Sequence, residues 1–174
     1  DTGGSNFKFV ISPDTCATSS ACLRNTAMTD SIPASVSLMD SDGDNITDRI
    51  YAADTGGNIW RVDMVGTDRS KWSVFKFASL GSDSVADNDR RFFGAPMVVR
   101  SINKKITANA DSTYSYTELP FDGVFIGSGN RNKPASDKVV DNGYFMLRDY
   151  QINPYPIGST KPNPFIVTDL YDIS

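Results

Sequence analysis

The sequence predicts an all-β fold, a fragment of a β-propeller made of repeated strand-hairpin blades with long surface loops, on three observations. Its apolar residues fall in short runs rich in Val, Ile, Phe, Tyr and Trp, each bounded by Gly, Pro, Asp or Asn. No window carries a convincing 3.6-residue period. One supersecondary unit occurs twice, and a unit of few strands that cannot bury both faces alone is the logic of propeller blades.

In chain order, the first strand signal is Phe7–Ile11, ahead of a Ser/Thr-rich stretch that holds both cysteines. Ser35–Met39 follows Pro33 and runs into an Asp-rich loop; Arg49–Ala53 emerges from that loop; Asn58–Met64 starts after Gly57. Trp72–Phe77 completes this group, so a first blade is expected over about residues 31–80. The acidic segment Gly81–Arg91 reads as exposed. Ala95–Ile102, Gly123–Ile126 and Gly143–Arg148 then form a second blade over about 92–150. In both copies a strand led by Pro precedes a hairpin whose return strand begins after Gly and ends at Asp: Gly57-Asn-Ile-Trp-Arg-Val-Asp63 and Gly143-Tyr-Phe-Met-Leu-Arg-Asp149. Trp60 and Phe145 stand at equivalent places and are expected to pack between blades. The insertions Asn103–Glu118 and Asn130–Asn142 read as surface loops from their polar composition. Pro154, Pro156, Pro162 and Pro164 make 151–164 an extended connector, and Phe165–Leu170 a closing strand within 151–174.

The bulk numbers narrow function. The chain has 174 residues, 39% of them hydrophobic and 22% charged, which suits one compact unit. A formal charge of -4 leaves no attraction for phosphate backbones, so nucleic acid is excluded as an expected partner. No apolar run approaches the ~18 residues of a membrane span, so no direct membrane insertion is expected. The opening Asp-Thr-Gly-Gly reads as the start of a piece of something longer. With no His in the chain, Cys16 and Cys22 lack partners for a zinc site and are expected to form a local disulfide. Closing that short loop would contribute about 2.4 kcal/mol and implies an oxidising compartment. No nucleophile motif or acid pair can be singled out, and no enzyme activity is expected.

The chemistry concentrates in Asp40-Ser-Asp-Gly-Asp-Asn-Ile-Thr-Asp48. A hard divalent cation takes about six to eight oxygens, which requires carboxylates that converge without a long span of chain between them. Asp40, Asp42, Asp44 and Asp48 stand at positions 1, 3, 5 and 9 of such a loop, with the Ile46 carbonyl at position 7. Tyr51 replaces the bidentate Glu of an EF-hand, and strands rather than helices flank the loop. Gly43 and Asn45 tolerate the partly left-handed backbone that turns alternate side chains inward. An acidic turn held by Asx bonds is the alternative, but one neighbouring Arg49 cannot neutralise four carboxylates. Ca2+ is therefore the expected ion, ahead of Mg2+, which sheds its waters reluctantly. Asp54 is close enough in sequence to serve as a distant ligand or a turn cap. Gly127-Ser-Gly-Asn lacks the Lys-Ser/Thr of a phosphate loop and reads as a hairpin bend.

As one block, Asp40 through Asp63 resembles the C-terminal propeller of the PilY/PilC family of type IV pilus tip-associated biogenesis proteins and adhesins. Phe93-Gly-Ala-Pro-Met-Val-Val, Val124-Phe-Ile-Gly-Ser-Gly-Asn-Arg and Val167-Thr-Asp-Leu-Tyr-Asp-Ile-Ser agree more loosely, extending the likeness from about Ser31 to the end. The resemblance implies a quinoprotein-like propeller, exported to the periplasm, pilus tip or cell surface of a Gram-negative-type bacterium. It implies calcium held by Asp40, Asp42, Asp44, Ile46 and Asp48, minor pilins and other tip components as partners, and roles in pilus assembly, extension against retraction and attachment to host or other surfaces. Asn45 stands where the family often has Gly, and the loops around Asn103 and Lys133 find no match. Two rivals share features. Integrin-like adhesion propellers repeat such a loop from blade to blade, whereas the region around Asn130 has no carboxylate ladder. Quinone-dependent dehydrogenases share the Gly-Asn-x-Trp-like strands but need a quinone pocket built by all their blades.

Overall fold

The computed structural model describes residues 10–14, 22–134, 138–156 and 158–170. Its regular structure is all β, with short 3-10 turns at Arg69–Lys71, Ala86–Asn88 and Val167–Asp169. Strands β1 (Val10–Ser12) and β2 (Cys22–Arg24) make a small parallel pair. Next come β3 (Ser37–Met39), β4 (Arg49–Ala53), β5 (Asn58–Asp63) and β6 (Ser73–Ser79), an antiparallel meander. A second meander follows: β7 (Met97–Ala108), β8 (Tyr114–Gly127) and β9 (Tyr144–Asp149). Finally β10 (Phe165–Ile166) lies parallel to β6, giving a five-stranded sheet ordered β10-β6-β5-β4-β3 beside the three-stranded β7-β8-β9. Neither sheet closes on itself.

The two copies of the sequence unit fall one in each meander, and the inner faces of the meanders share one core. Tyr51, Ala53, Ile59, Phe75 and Phe77 of the larger sheet meet Val124, Ile126 and Leu147 of the smaller, with Phe92 between. Rings meet edge to face within it, as in Tyr51 against Phe77 at 5.6 Å. The β4–β5 turn is sharp because Gly57 takes φ +77° and lies against the Gly81 backbone, where a Cβ would come within 2.5 Å of the Gly81 Cα.

Several expectations change. Asn103–Glu118 is not a loop: β7 and β8 continue through it as a two-stranded ribbon, paired from Met97 with Phe125 out to Ala108 with Tyr114. Thr, Tyr and Ile there extend the ladder, while the absence of burial keeps the composition polar. Of Phe165–Leu170 only Phe165–Ile166 is strand, and Val167–Asp169 turns as 3-10 helix with the Asp169 carboxylate accepting from the Ile166 N–H at 2.9 Å. Trp60 and Phe145 are not equivalent. Phe145 packs on the shared core, whereas Trp60 pairs with Ala52 on the opposite face of its sheet. The connector behaves as expected, with no strand among its described residues from 151 to 164. The disulfide expected between Cys16 and Cys22, and the first part of Phe7–Ile11, involve residues outside those described.

Candidate metal centre

The Asp loop joins β3 to β4, and both ends are held by the sheet. The Asp48 N–H donates to the Met39 carbonyl at 2.9 Å, and the Asp48 carbonyl accepts from the Met64 N–H at 2.7 Å. Between these anchors the chain turns twice through left-handed backbone, Gly43 at φ +85° and Asn45 at φ +68°. Asn can occupy that region at modest cost, which is why it can stand where Gly is more usual.

The acidic side chains organise this backbone. Asp40 accepts from the Gly43 N–H at 2.6 Å and the Asn45 N–H at 2.8 Å. Asp42 accepts from the Asp44 N–H at 3.2 Å, and Asp44 from the Ile46 N–H at 2.7 Å. Asp48 accepts from the Ser41 N–H at 2.7 Å. The backbone N–H of Gly43, with further donors along the loop, holds the Asp40 carboxyl below the usual carboxylate value against a smaller opposing effect of desolvation.

These bonds bring oxygens of Asp40, Asp42 and Asp48 within 4.8 Å of one another. Asp44 lies outside that group, and the Ile46 side chain is exposed. Ile46 would act only through its carbonyl. Because Asp42, Asp44 and Asp48 each use one oxygen to accept from the backbone, a second oxygen on each remains available. An all-oxygen, anionic and partly exposed donor set suits a hard cation such as Ca2+ or Mg2+ and not a soft one.

Asp54 is not part of this arrangement. It is buried, and its two oxygens accept from the N–H groups of Gly56 and Asn58, the Asn58 amide, and Trp60 Nε1 at 2.7 Å. It is the cap of the β4–β5 turn.

Behind the loop lies a charged network that the sequence reading missed. Arg49, Arg61, Asp63 and Asp122 are fully buried and Asp149 nearly so. Arg49 pairs with Asp122, and Arg61 with Asp149 and with Asp63 Oδ1 at 2.7 Å. Tyr51 donates its hydroxyl to Asp149 Oδ2 at 2.7 Å, and burial together with that carboxylate pushes the phenol well above its ordinary pKa. Burial pushes the Asp122 carboxyl up, but hydrogen bonds from Arg100 and Arg49 outweigh it and hold the group below its ordinary value. The available signal was Arg and Asp inside otherwise apolar strands, as in Trp60-Arg-Val-Asp63.

Elsewhere, the Gly127–Asn130 bend borders an open cleft of about 330 Å³ with Arg131 and Lys133 at its rim. The Ser128 N–H is already bonded to the Gly143 carbonyl, as a hairpin end requires. No helix among the described residues is long and apolar enough to cross a membrane.

No family model matches the chain, and no solved structure matches it. A type IV pilus protein does. The type IV pilus biogenesis factor PilY1 homolog of Xylella fastidiosa (strain Temecula1) is 34% identical to this chain over 47 residues. That stretch is 27% of this chain and 3% of the pilus protein, so the chain matches a small part of that protein's length. The likeness relates part of this chain to a type IV pilus biogenesis factor.

Proposed function

We propose that this chain is a non-enzymatic, calcium-binding piece of a β-propeller in a type IV pilus biogenesis protein or tip adhesin. The observation that carries the metal is the convergence of Asp40, Asp42 and Asp48 within 4.8 Å on a loop fastened at both ends to one sheet. The pilus assignment is supported by the PilY1 homolog, and the propeller by two meanders that pack inner face to inner face with open edges. Calcium neutralises the carboxylates and fixes the β3–β4 connection, with Asp44 and the Ile46 carbonyl completing the shell from the near side of the loop. The domain works outside the cytoplasm, at the periplasm, pilus tip or cell surface. Its partners are minor pilins and other tip components, and calcium sets the surface they read during extension, retraction and adhesion.

Thermal unfolding in a calcium titration tests the metal. With a micromolar site, 1 mM calcium would stabilise the chain by about 4 kcal/mol. At roughly 2–4 °C per kcal/mol for a chain of this size, the melting temperature rises by about 8–16 °C. Asp42→Ala abolishes the rise. A melting temperature indifferent to calcium would refute the reading.

A further inference from the structure

Ser41 is buried in a loop whose next five residues are exposed, and it sits between two candidate ligands. Each of its polar groups is engaged. Its N–H donates to Asp48 Oδ2 at 2.7 Å, its hydroxyl accepts from Arg49 Nε at 2.9 Å, and its carbonyl accepts from Arg100 Nη1 at 2.7 Å. Arg49 comes from β4 and Arg100 from β7, and both guanidinium groups close on Asp122 of β8, Arg100 Nε at 2.9 Å from Oδ1. The two sheets share no strand pairing, so the loop reaches the smaller sheet through side chains.

The row that is gripped matters. Arg100 is the cross-strand partner of Asp122, which is also the last β8 residue paired with β9, through Asp149. Beyond it β7 and β8 continue alone as the ribbon, with Ile102, Ile106, Tyr114 and Tyr116 exposed. The Asp loop therefore holds the base of that ribbon.

We propose that Ser41 and Arg100 are positioning residues for the metal loop, and that ion binding and the grip on the ribbon base form one coupled equilibrium. This rests on the calcium reading above. Without an ion the carboxylates repel and the loop expands, carrying Ser41 away from Arg49 and Arg100 and loosening their hold on Asp122. In the other direction, Arg49 and Arg100 fix Ser41, whose N–H sets Asp48 while its chain neighbours Asp40 and Asp42 are set by the same backbone. Residues supporting metal ligands in this way change affinity by about 10- to 100-fold when removed. Coupling of this kind is reciprocal: what the grip gives to the ion, the ion returns to the grip.

The test uses the whole chain, calcium titrations by calorimetry, and amide hydrogen exchange of β8 and β9 with and without calcium. Arg100 suits substitution because its side chain is about a third exposed, at 35%. Arg100→Gln is expected to weaken calcium binding about 10- to 100-fold, and Arg100→Lys to recover part of the loss. In the wild type, calcium slows exchange at Gly123–Ile126 and Leu147, and in Arg100→Gln that protection disappears while the loop amides are still protected at saturating calcium. If Arg100→Gln binds calcium within about twofold of wild type, or wild-type protection stays confined to residues 40–48, the coupling is wrong and the calcium reading stands. If the wild type shows no calcium binding, both fall.

Discussion

Replacing Asp122 by Ala tests the network that joins the two sheets. The carboxylate is fully buried between Arg49, equally buried, and Arg100. Removing one partner of a buried pair typically costs about 3–5 kcal/mol, because the remaining charge is left without its counterion. Two features place this case near the lower end. Arg49 keeps bonds to the Ser41 hydroxyl, the Tyr51 hydroxyl and the Gln151 carbonyl, and Arg100 is exposed enough to rehydrate. The expected loss is about 3 kcal/mol, or a melting temperature lower by roughly 6–12 °C. Urea unfolding followed by tryptophan fluorescence measures it, with Glu118→Ala as reference. Glu118 pairs with Lys104 at 3.6 Å on the exposed ribbon, where a pair is worth about 0–1 kcal/mol. If Asp122→Ala lies within about 1 kcal/mol of that reference, Arg49 does not depend on Asp122 and the network does not tie the sheets together.

The same carboxylate sets a pH dependence. Its pKa is lowered in the fold, so its contribution is complete above the unfolded value of about 3.9 and is lost as pH falls through the folded value. Acid titration of unfolding stability should be level above about pH 5 and fall below it, and Asp122→Asn should flatten that fall. Gly57→Ala should cost about 2–4 kcal/mol by calorimetry, because a side chain is strained at φ +77° and its Cβ meets the Gly81 backbone. Replacing residues 103–118 by a two-residue turn should leave the urea midpoint nearly unchanged, a loss of about 1 kcal/mol or less, since that part of the ribbon packs on nothing in the core.

Legibility differed from element to element for identifiable reasons. Arg49–Ala53 matches its expected bounds, and Asn58–Met64 differs from β5 by one residue, because Asp54 and Gly57 force the turn between them. The ribbon is not legible in sequence because burial, not pairing, makes strands apolar; a ribbon with both faces exposed keeps a loop's composition. The Asp loop announces itself through spacing, since its carboxylate bonds run between residues at most seven apart. By spacing alone Arg49 is a neighbour of those carboxylates. Its guanidinium instead points inward to Asp122, a partner 73 residues away that no local pattern reveals.

The long-range network also answers a need the connector creates. Residues 151–156 lie against Arg49 of β4 and Arg61 and Asp63 of β5, and Pro154 and Pro156 prevent them from joining a ladder. Their half-buried backbone groups still find partners. Arg61 donates to the Gln151 carbonyl at 2.9 Å and the Asn153 carbonyl at 2.8 Å, and Asp63 accepts from the Tyr155 N–H at 2.8 Å. A guanidinium offers five donors in a rigid fork, enough to serve two carbonyls and two carboxylates at once. An apolar residue at Arg61 could fill the space but would leave those acceptors bare. The buried guanidinium of Arg61 thus serves irregular backbone that no neighbouring strand pairs with. Arg49 follows the same logic, binding the Gln151 carbonyl on one side and the Ser41 hydroxyl on the other, so the connector, the smaller sheet and the Asp loop hang on one set of groups.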